Sequence, residues 1–193
     1  MDADPSDGTD SELLAATLAG EEAAFVELYT RHKERVFRFA YRMTGSVELA
    51  REVTQSCFVA LLETPSRYDA RRANLGTYLC GAARHLSLRH ASRAWRERPL
   101  PDHSEREPSR EPSPEQGLLE QERTRAVREA ILALPPLHRE VLILAEYEEL
   151  EIRAIAEIVG AEPGAVKVRL HRARQKLRAA LEPRMRATAL VAK

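Results

Sequence analysis

Apolar residues recur along this chain at steps of three and four, the period of a helix buried on one side. An alternating strand pattern appears nowhere. Residues 1–10 are polar and acidic and read as a frayed terminus, and 11–19 suit a short helix that Gly20 interrupts. From Glu21 to Thr44 one stripe runs through Phe25, Leu28, His32, Val36, Phe39 or Ala40, and Met43. Gly45 ends that helix and Ser46 is placed to cap the next, 46–63, whose inward residues are Ala50, Val53, Cys57, Phe58 and Leu61. A basic loop, 64–74, leads to a helix over 75–95 that turns Leu79, Ala82 or Ala83, Leu86 and His90 inward. The pattern predicts an all-α protein.

Residues 99–116 interrupt the periodicity with five of the chain's eleven prolines and a repeated EPS fragment. So little apolar surface cannot offset the entropy of folding, and the stretch reads as a disordered linker. The expected organisation is two small helical domains, 11–95 and 117–182, joined by a linker over 96–116. The second domain runs through a helix over 117–134, a break at Pro135-Pro136, a helix over 137–149, and a short apolar-periodic segment with Ile152, Ile155, Ala156 and Val159. A turn at Val159-Gly160-Ala161 then precedes a last helix opened by Pro163, whose missing N–H costs nothing in a first turn. The tail after Leu181 is too short to form another domain.

Charge changes this picture most in that last helix. Formal net charge is zero, yet residues 145–162 carry six Glu and one Arg, whereas Pro163 to Leu181 holds six Lys or Arg and no carboxylate. Val166, Leu170, Ala173, Leu177 and Leu181 form an apolar stripe, with Lys167, His171, Arg174 and Arg178 on another face and Arg169, Arg172 and Lys176 beside them. Helix, glycine-bearing turn and basic helix is the helix-turn-helix signature, whose second helix enters the major groove. A solvated arginine-rich surface helix is the plainer reading. A second basic zone spans 67–98, with eight Arg against two acids, and Tyr68, Tyr78 and Trp95 lie in or beside it. Rings among cations stack single-stranded bases, although the same residues could complete a core.

Other chemistry is sparse. No nucleophile–base spacing, glycine-rich phosphate loop or Cys/His cluster is present, so catalytic residues, metal ligands and cofactors are all expected to be absent. Cys57 and Cys80 lie within apolar helical patterns and read as buried thiols of a reducing compartment; a redox pair is the alternative. There is no run of about 18 apolar residues to span a membrane. The acidic start lacks the layout of a signal peptide, so the expected location is the cytoplasm.

With these residues in view, the chain resembles the extracytoplasmic-function (ECF) sigma factors, the small promoter-recognition subunits of bacterial RNA polymerase in the sigma-70 family. The resemblance runs from about Ser11 to Glu182. It is strongest over ALPPLHREVLILAEYEELEIRAIAEIVGAEPGAVKVRLHRARQKLR, similar to the family's fourth region almost throughout. The second region is matched less closely. Where its polymerase-binding helix has aspartate, glutamine, an acid and an aromatic, this chain has Glu52, Gln55, Ser56 and Leu62. Where the next helix usually has Arg-Asn and then aspartate, this chain has Arg84-His85 and Arg89, and Glu162 stands where the family often has a capping serine.

The resemblance implies a sigma factor that binds core RNA polymerase, recognises two elements of promoter DNA and answers to an anti-sigma factor. Polymerase binding would fall to Glu48, Glu52, Gln55 and Ser56. The upstream element would be met as duplex by Pro163, Gly164, Ala165, Lys167, Arg169, His171, Arg172 and Arg174, with Arg169 as base reader and Arg178 at most on a phosphate. The downstream element, as it melts, would be held by Tyr68, Arg71, Arg72, Asn74, Tyr78, Arg84, His85 and Arg89. Two other classes remain open: a stand-alone helix-turn-helix regulator with an N-terminal ligand or dimerisation domain, and an adaptor that docks on polymerase without reading DNA.

Overall fold

The computed structural model describes residues 9–96 and 114–191, and the side chains of 9–93, 95 and 122–182. Among the described residues eight helices follow in order: α1 (Asp10–Leu18), α2 (Glu22–Thr44), α3 (Val47–Glu63), α4 (Leu75–Arg96), α5 (Pro114–Leu132), α6 (Pro136–Glu146), α7 (Ile152–Val159) and α8 (Pro163–Val191). A 3-10 turn, Pro65–Arg67, follows α3, and no strand occurs among the described residues. Most of the expected linker lies outside the described residues. Its last three residues, Pro114 to Gln116, already belong to α5, because proline is well suited to the first turn of a helix. The short tail continues α8 as far as Val191.

Residue contacts divide the chain into two compact units, Met1–Tyr41 with Glu48–Ser87, and Arg42–Val47 with Leu88–Lys193. In the first, α1 opens with a capping box, in which the Glu12 N–H donates to the Thr9 hydroxyl and the Thr9 N–H to the Glu12 carboxylate. The α2 stripe is as the periodicity indicates, with Leu28, Val36, Phe39, Ala40 and Met43 buried and Phe25 and His32 half-buried. His32 does more than complete the stripe: its Nε2 lies 2.9 Å from Asp10 Oδ2 and fastens α1 to α2. Thr54 joins the expected residues of α3 in the core, its hydroxyl donating to the Ala50 carbonyl at 2.7 Å, and Phe58 meets the Tyr29 ring edge-on at 4.8 Å. Cys57 and Cys80 are both buried and form no disulfide, and burial pushes the Cys57 thiol up to about 12. Along α4, Leu79 and Ala83 face inward as expected, but Cys80, Ser87 and Ala91 complete the buried face while Leu86 and His90 are half-buried.

In the second unit α8 packs against α5, α6 and α7. Pro135 and Pro136 begin α6, the Pro135 carbonyl accepting from the N–H groups of His138 and Arg139 at 2.8 and 2.9 Å. Four consecutive α6 residues, Val141 to Leu144, are buried, since neighbours cover this helix on more than one side. Arg139 is buried as well. Its guanidinium donates to the carbonyls of Leu132, Leu134 and Met43, satisfying the C-terminal ends of two helices. That tie groups the end of α2 with the second unit, although periodicity alone assigns it to the first.

Candidate nucleic-acid interface

The turn between α7 and α8 is built by one glycine. Gly160 has φ 63° and ψ 46°, in the left-handed region, and the N–H groups of Gly160 and Ala161 both reach the Ala156 carbonyl. This is the Schellman closure of a helix end, which favours glycine because a Cβ is strained at that φ. Two residues later the Glu162 carbonyl accepts from the Val166 N–H at 3.1 Å and α8 begins. Val166, Leu170 and Ala173 are buried, and Leu177 and Leu181 half-buried, so the apolar stripe is the packed face. At about 1.5–3 kcal/mol per large apolar side chain, this burial fixes which face remains in water.

On that face Pro163, Gly164, Ala165, Lys167, His171, Arg172 and Arg174 are exposed, as the sequence indicates. Arg169 is placed differently. It lies on the flank of α8, 30% exposed, with one terminal nitrogen 3.9 Å from Oε1 of the fully buried Glu140 on α6. Its position suits an anchor of α8 on α6 better than a base reader. Arg174 is held by Glu146 at the end of α6, its Nε donating at 2.8 Å and a terminal nitrogen lying 2.6 Å away. Both partners are exposed, so the pair is weak and exchangeable. Alongside, the pKa of His138 is lowered by partial burial and then by Lys176, Arg172 and Arg169. Sequence reading gave Glu140 and His138 no role and counted Glu146 only among the acids of 145–162, because which of them faces a cation depends on how α6 packs on α8.

The second basic zone is assembled from the 64–74 loop and the start of α4. Tyr68 and Tyr78 pack together with ring centroids 5.3 Å apart, both half-buried, so each serves the core and keeps an exposed edge. Burial raises the Tyr68 pKa, with Asp10 adding to it, while a hydrogen bond to Ser11 opposes the shift. Asn74 is the N-cap of α4: its side-chain oxygen accepts from the Thr77 N–H at 2.8 Å and its carbonyl from that of Tyr78 at 3.0 Å. Arg71 pairs with Asp69, whose carboxyl is held below its usual range by those hydrogen bonds. Arg72, His85 and Arg89 are exposed, and Arg84 is half-buried. On α3, Glu48, Glu52 and Gln55 are exposed and Ser56 half-buried, and the same surface carries Val59 and Leu62, 44% and 36% exposed. A charged turn followed by an apolar one is a pattern that suits a protein partner.

Among the described residues no cluster of three or more His, Cys, Asp or Glu could hold a metal ion, and no helix is long and apolar enough to cross a membrane. The Sigma-70 region 2 family matches residues 28–97, and the Sigma-70, region 4 family matches residues 124–177. The chain is 32% identical over 181 residues to the ECF RNA polymerase sigma factor SigE of Mycolicibacterium smegmatis, covering 91% of this chain and 69% of that protein. It is 26% identical to the ECF RNA polymerase sigma factor SigW of Bacillus subtilis, covering 82% and 89%, and 31% identical to the RNA polymerase sigma factor CarQ of Myxococcus xanthus, covering 82% and 90%. Its fold is like that of the sigma factor RpoE solved with the anti-sigma factor NepR from Bartonella quintana (TM-score 0.62, 18% identity, 82% of this chain and 96% of that one). It is also like that of CnrH solved with the cytosolic domain of CnrY (TM-score 0.64, 23% identity, 90% and 97%). With two sigma-70 regions in order and this likeness over nine-tenths of its length, the chain belongs to the ECF RNA polymerase sigma factors and directs transcription initiation.

Proposed function

We propose that this sigma factor works in the cytoplasm without chemistry of its own, through three surfaces, and that an anti-sigma factor restrains it. Residues 11–95 form the domain that docks on polymerase and holds melted DNA, 96–116 tether it, and 117–182 read duplex DNA. The outward face of α3 (Glu48, Glu52, Gln55 and Ser56) meets core polymerase. Arg71, Arg72, Arg84, His85 and Arg89 hold the phosphates of the melted downstream strand beside the exposed edges of Tyr68 and Tyr78. Asn74 keeps the loop and the start of α4 in shape for that contact. The start of α8 enters the major groove at the upstream element, where Lys167, His171 and Arg172 reach bases and phosphates and Arg174 exchanges Glu146 for a phosphate.

The observation that carries this reading is the separation of roles on α8: a packed apolar stripe, buried over its first half, opposes an exposed cationic face, immediately after a turn closed by Gly160. The test is binding of the full chain to core polymerase and of the resulting holoenzyme to promoter duplexes. Glu52→Lys should weaken binding to core polymerase with helical content unchanged. Arg172→Ala should leave polymerase binding intact and weaken promoter binding. Full polymerase affinity in Glu52→Lys, or full promoter affinity in Arg172→Ala, would remove the corresponding surface from this account.

A further inference from the structure

The centre of the outward face of α8 carries no charge. The packed residues Val166, Leu170, Ala173 and, half-buried, Leu177 set the inward direction. At 3.6 residues per turn, Val168 and Gln175 then point within about 10° of its opposite, and Gly164 within about 30°. His171 and Arg172 lie about 50° to either side, Lys167 about 90° away, and Arg169 and Arg174 about 110° away on opposite flanks. The first two turns therefore show a bare backbone at Gly164 and a short branched hydrocarbon at Val168, framed by cations. Val168 is 50% exposed, the only large hydrophobic on this helix so exposed among the described residues.

Among the described residues, no close neighbour calls for glycine at 164, and half of Val168 is left in water. Gly164 is not in the left-handed region, and a Cβ built there would meet nothing within 4 Å. Glycine in a helix costs up to about 1 kcal/mol relative to alanine, and valine is also a weaker helix former than the lysine or glutamine common on such a face. Two unfavourable choices at the centre of one face are accounted for by something outside the chain that approaches closely there. In the major groove each base pair shows a distinct edge, and thymine alone adds a C5-methyl group. An isopropyl group cannot satisfy the acceptors of guanine or the donor of cytosine, but it packs on a methyl.

We infer that Val168 is a specificity-determining residue of the upstream element. It selects thymine at one position by contact with its methyl group, and the missing side chain at Gly164 lets the helix start come close enough for that contact. This rests on the reading of α8 as the upstream-element helix and adds which base its centre prefers.

The test uses holoenzyme reconstituted with core polymerase and a pool of promoter duplexes randomised across the upstream element. Selected duplexes should share a thymine at one position. Replacing that thymine by deoxyuridine, which lacks only the methyl, should weaken binding by about fourfold, the effect of one buried methyl group. In Val168→Ala holoenzyme both the enrichment and the deoxyuridine effect should largely vanish, while binding to core polymerase stays unchanged. Equal affinity of wild-type holoenzyme for thymine and deoxyuridine, or a full deoxyuridine effect in Val168→Ala, overturns the inference and leaves α8 as the upstream reader. If selection enriches no upstream sequence at all, that reading of α8 falls and the inference with it.

Discussion

Alanine at Gly160 should destabilise the C-terminal unit by about 1–2 kcal/mol, the strain of an L-residue in the left-handed region. The value follows from the backbone alone: φ is 63°, and a Cβ there would meet nothing within 4 Å, so no clash adds to it. Alanine at Gly164 should act in the opposite sense. Its surroundings are equally open and its φ is not positive, so the substitution gains helix propensity, up to about 1 kcal/mol and less so near a helix start. The two variants, four residues apart and each adding one methyl group to open space, should therefore differ by about 1–3 kcal/mol. Urea unfolding of the full chain, with hydrogen exchange of peptides covering α7 and α8, reads both changes. Promoter binding by holoenzyme supplies the second measurement, since Gly164→Ala should bind less tightly in spite of its greater stability. A Gly160→Ala protein as stable as wild type would refute the backbone argument. A Gly164→Ala protein with undiminished promoter affinity would refute the close approach of the helix start.

Three further outcomes are expected. With its thiol pushed up to about 12 by burial, Cys57 should resist iodoacetamide in the folded chain at pH 8 and react once urea is added; rapid labelling without urea would contradict its place in the core. The pKa of His138 is lowered in the fold from 6.5, so its contribution to stability should be complete above about pH 6.5 and fall as the pH drops towards the folded value. Comparing urea midpoints at pH 7.5 and 5.5 should show a smaller acid loss in His138→Gln than in wild type, and equal losses would exclude this histidine as the source. Glu146→Gln should change stability by no more than about 1 kcal/mol, because the pair it breaks is exposed. By sparing Arg174 the loss of a carboxylate partner it should also tighten promoter binding by holoenzyme at a fixed salt concentration; unchanged affinity would show that Arg174 meets no phosphate.

Helix positions were legible in the sequence because most of the helices bury one face, and burial writes its period into the apolar residues. Gly45 and Gly160 were legible as punctuation for a related reason: at φ 76° and 63°, glycine is the residue that fits without strain. What the pattern could not show was which way charged side chains turn. Arg169 and Arg172 look alike in a one-signed run, but only a packed α6 reveals that Arg169 faces a buried carboxylate. Periodicity also gave no account of polar residues with structural duties, such as His32 on Asp10, Asn74 capping α4, or Arg139 closing two helix ends, since each depends on a partner far away or on backbone. Val168 was within reach. Projecting the helix opposite its apolar stripe finds it, but a search guided by cations passes over the one hydrocarbon among them.

The Glu146 carboxylate on α6 bears on how this protein behaves when it is not at a promoter. On the proposed reading of α8, a carboxylate oxygen 2.6 Å from the Arg174 guanidinium takes the place that a phosphate oxygen of a duplex would take. Engagement with DNA at Arg174 is then an exchange of one anion for another of similar geometry, and only the difference between the two appears as attraction. This internal surrogate mutes part of the long-range pull of the cationic helix on arbitrary DNA. Contacts at the centre of the face have no such stand-in and keep their full discriminating value. A protein that must find few sites among very many gains from that arrangement, because weakening its hold on every sequence lengthens its search less than it shortens its stay at the wrong ones.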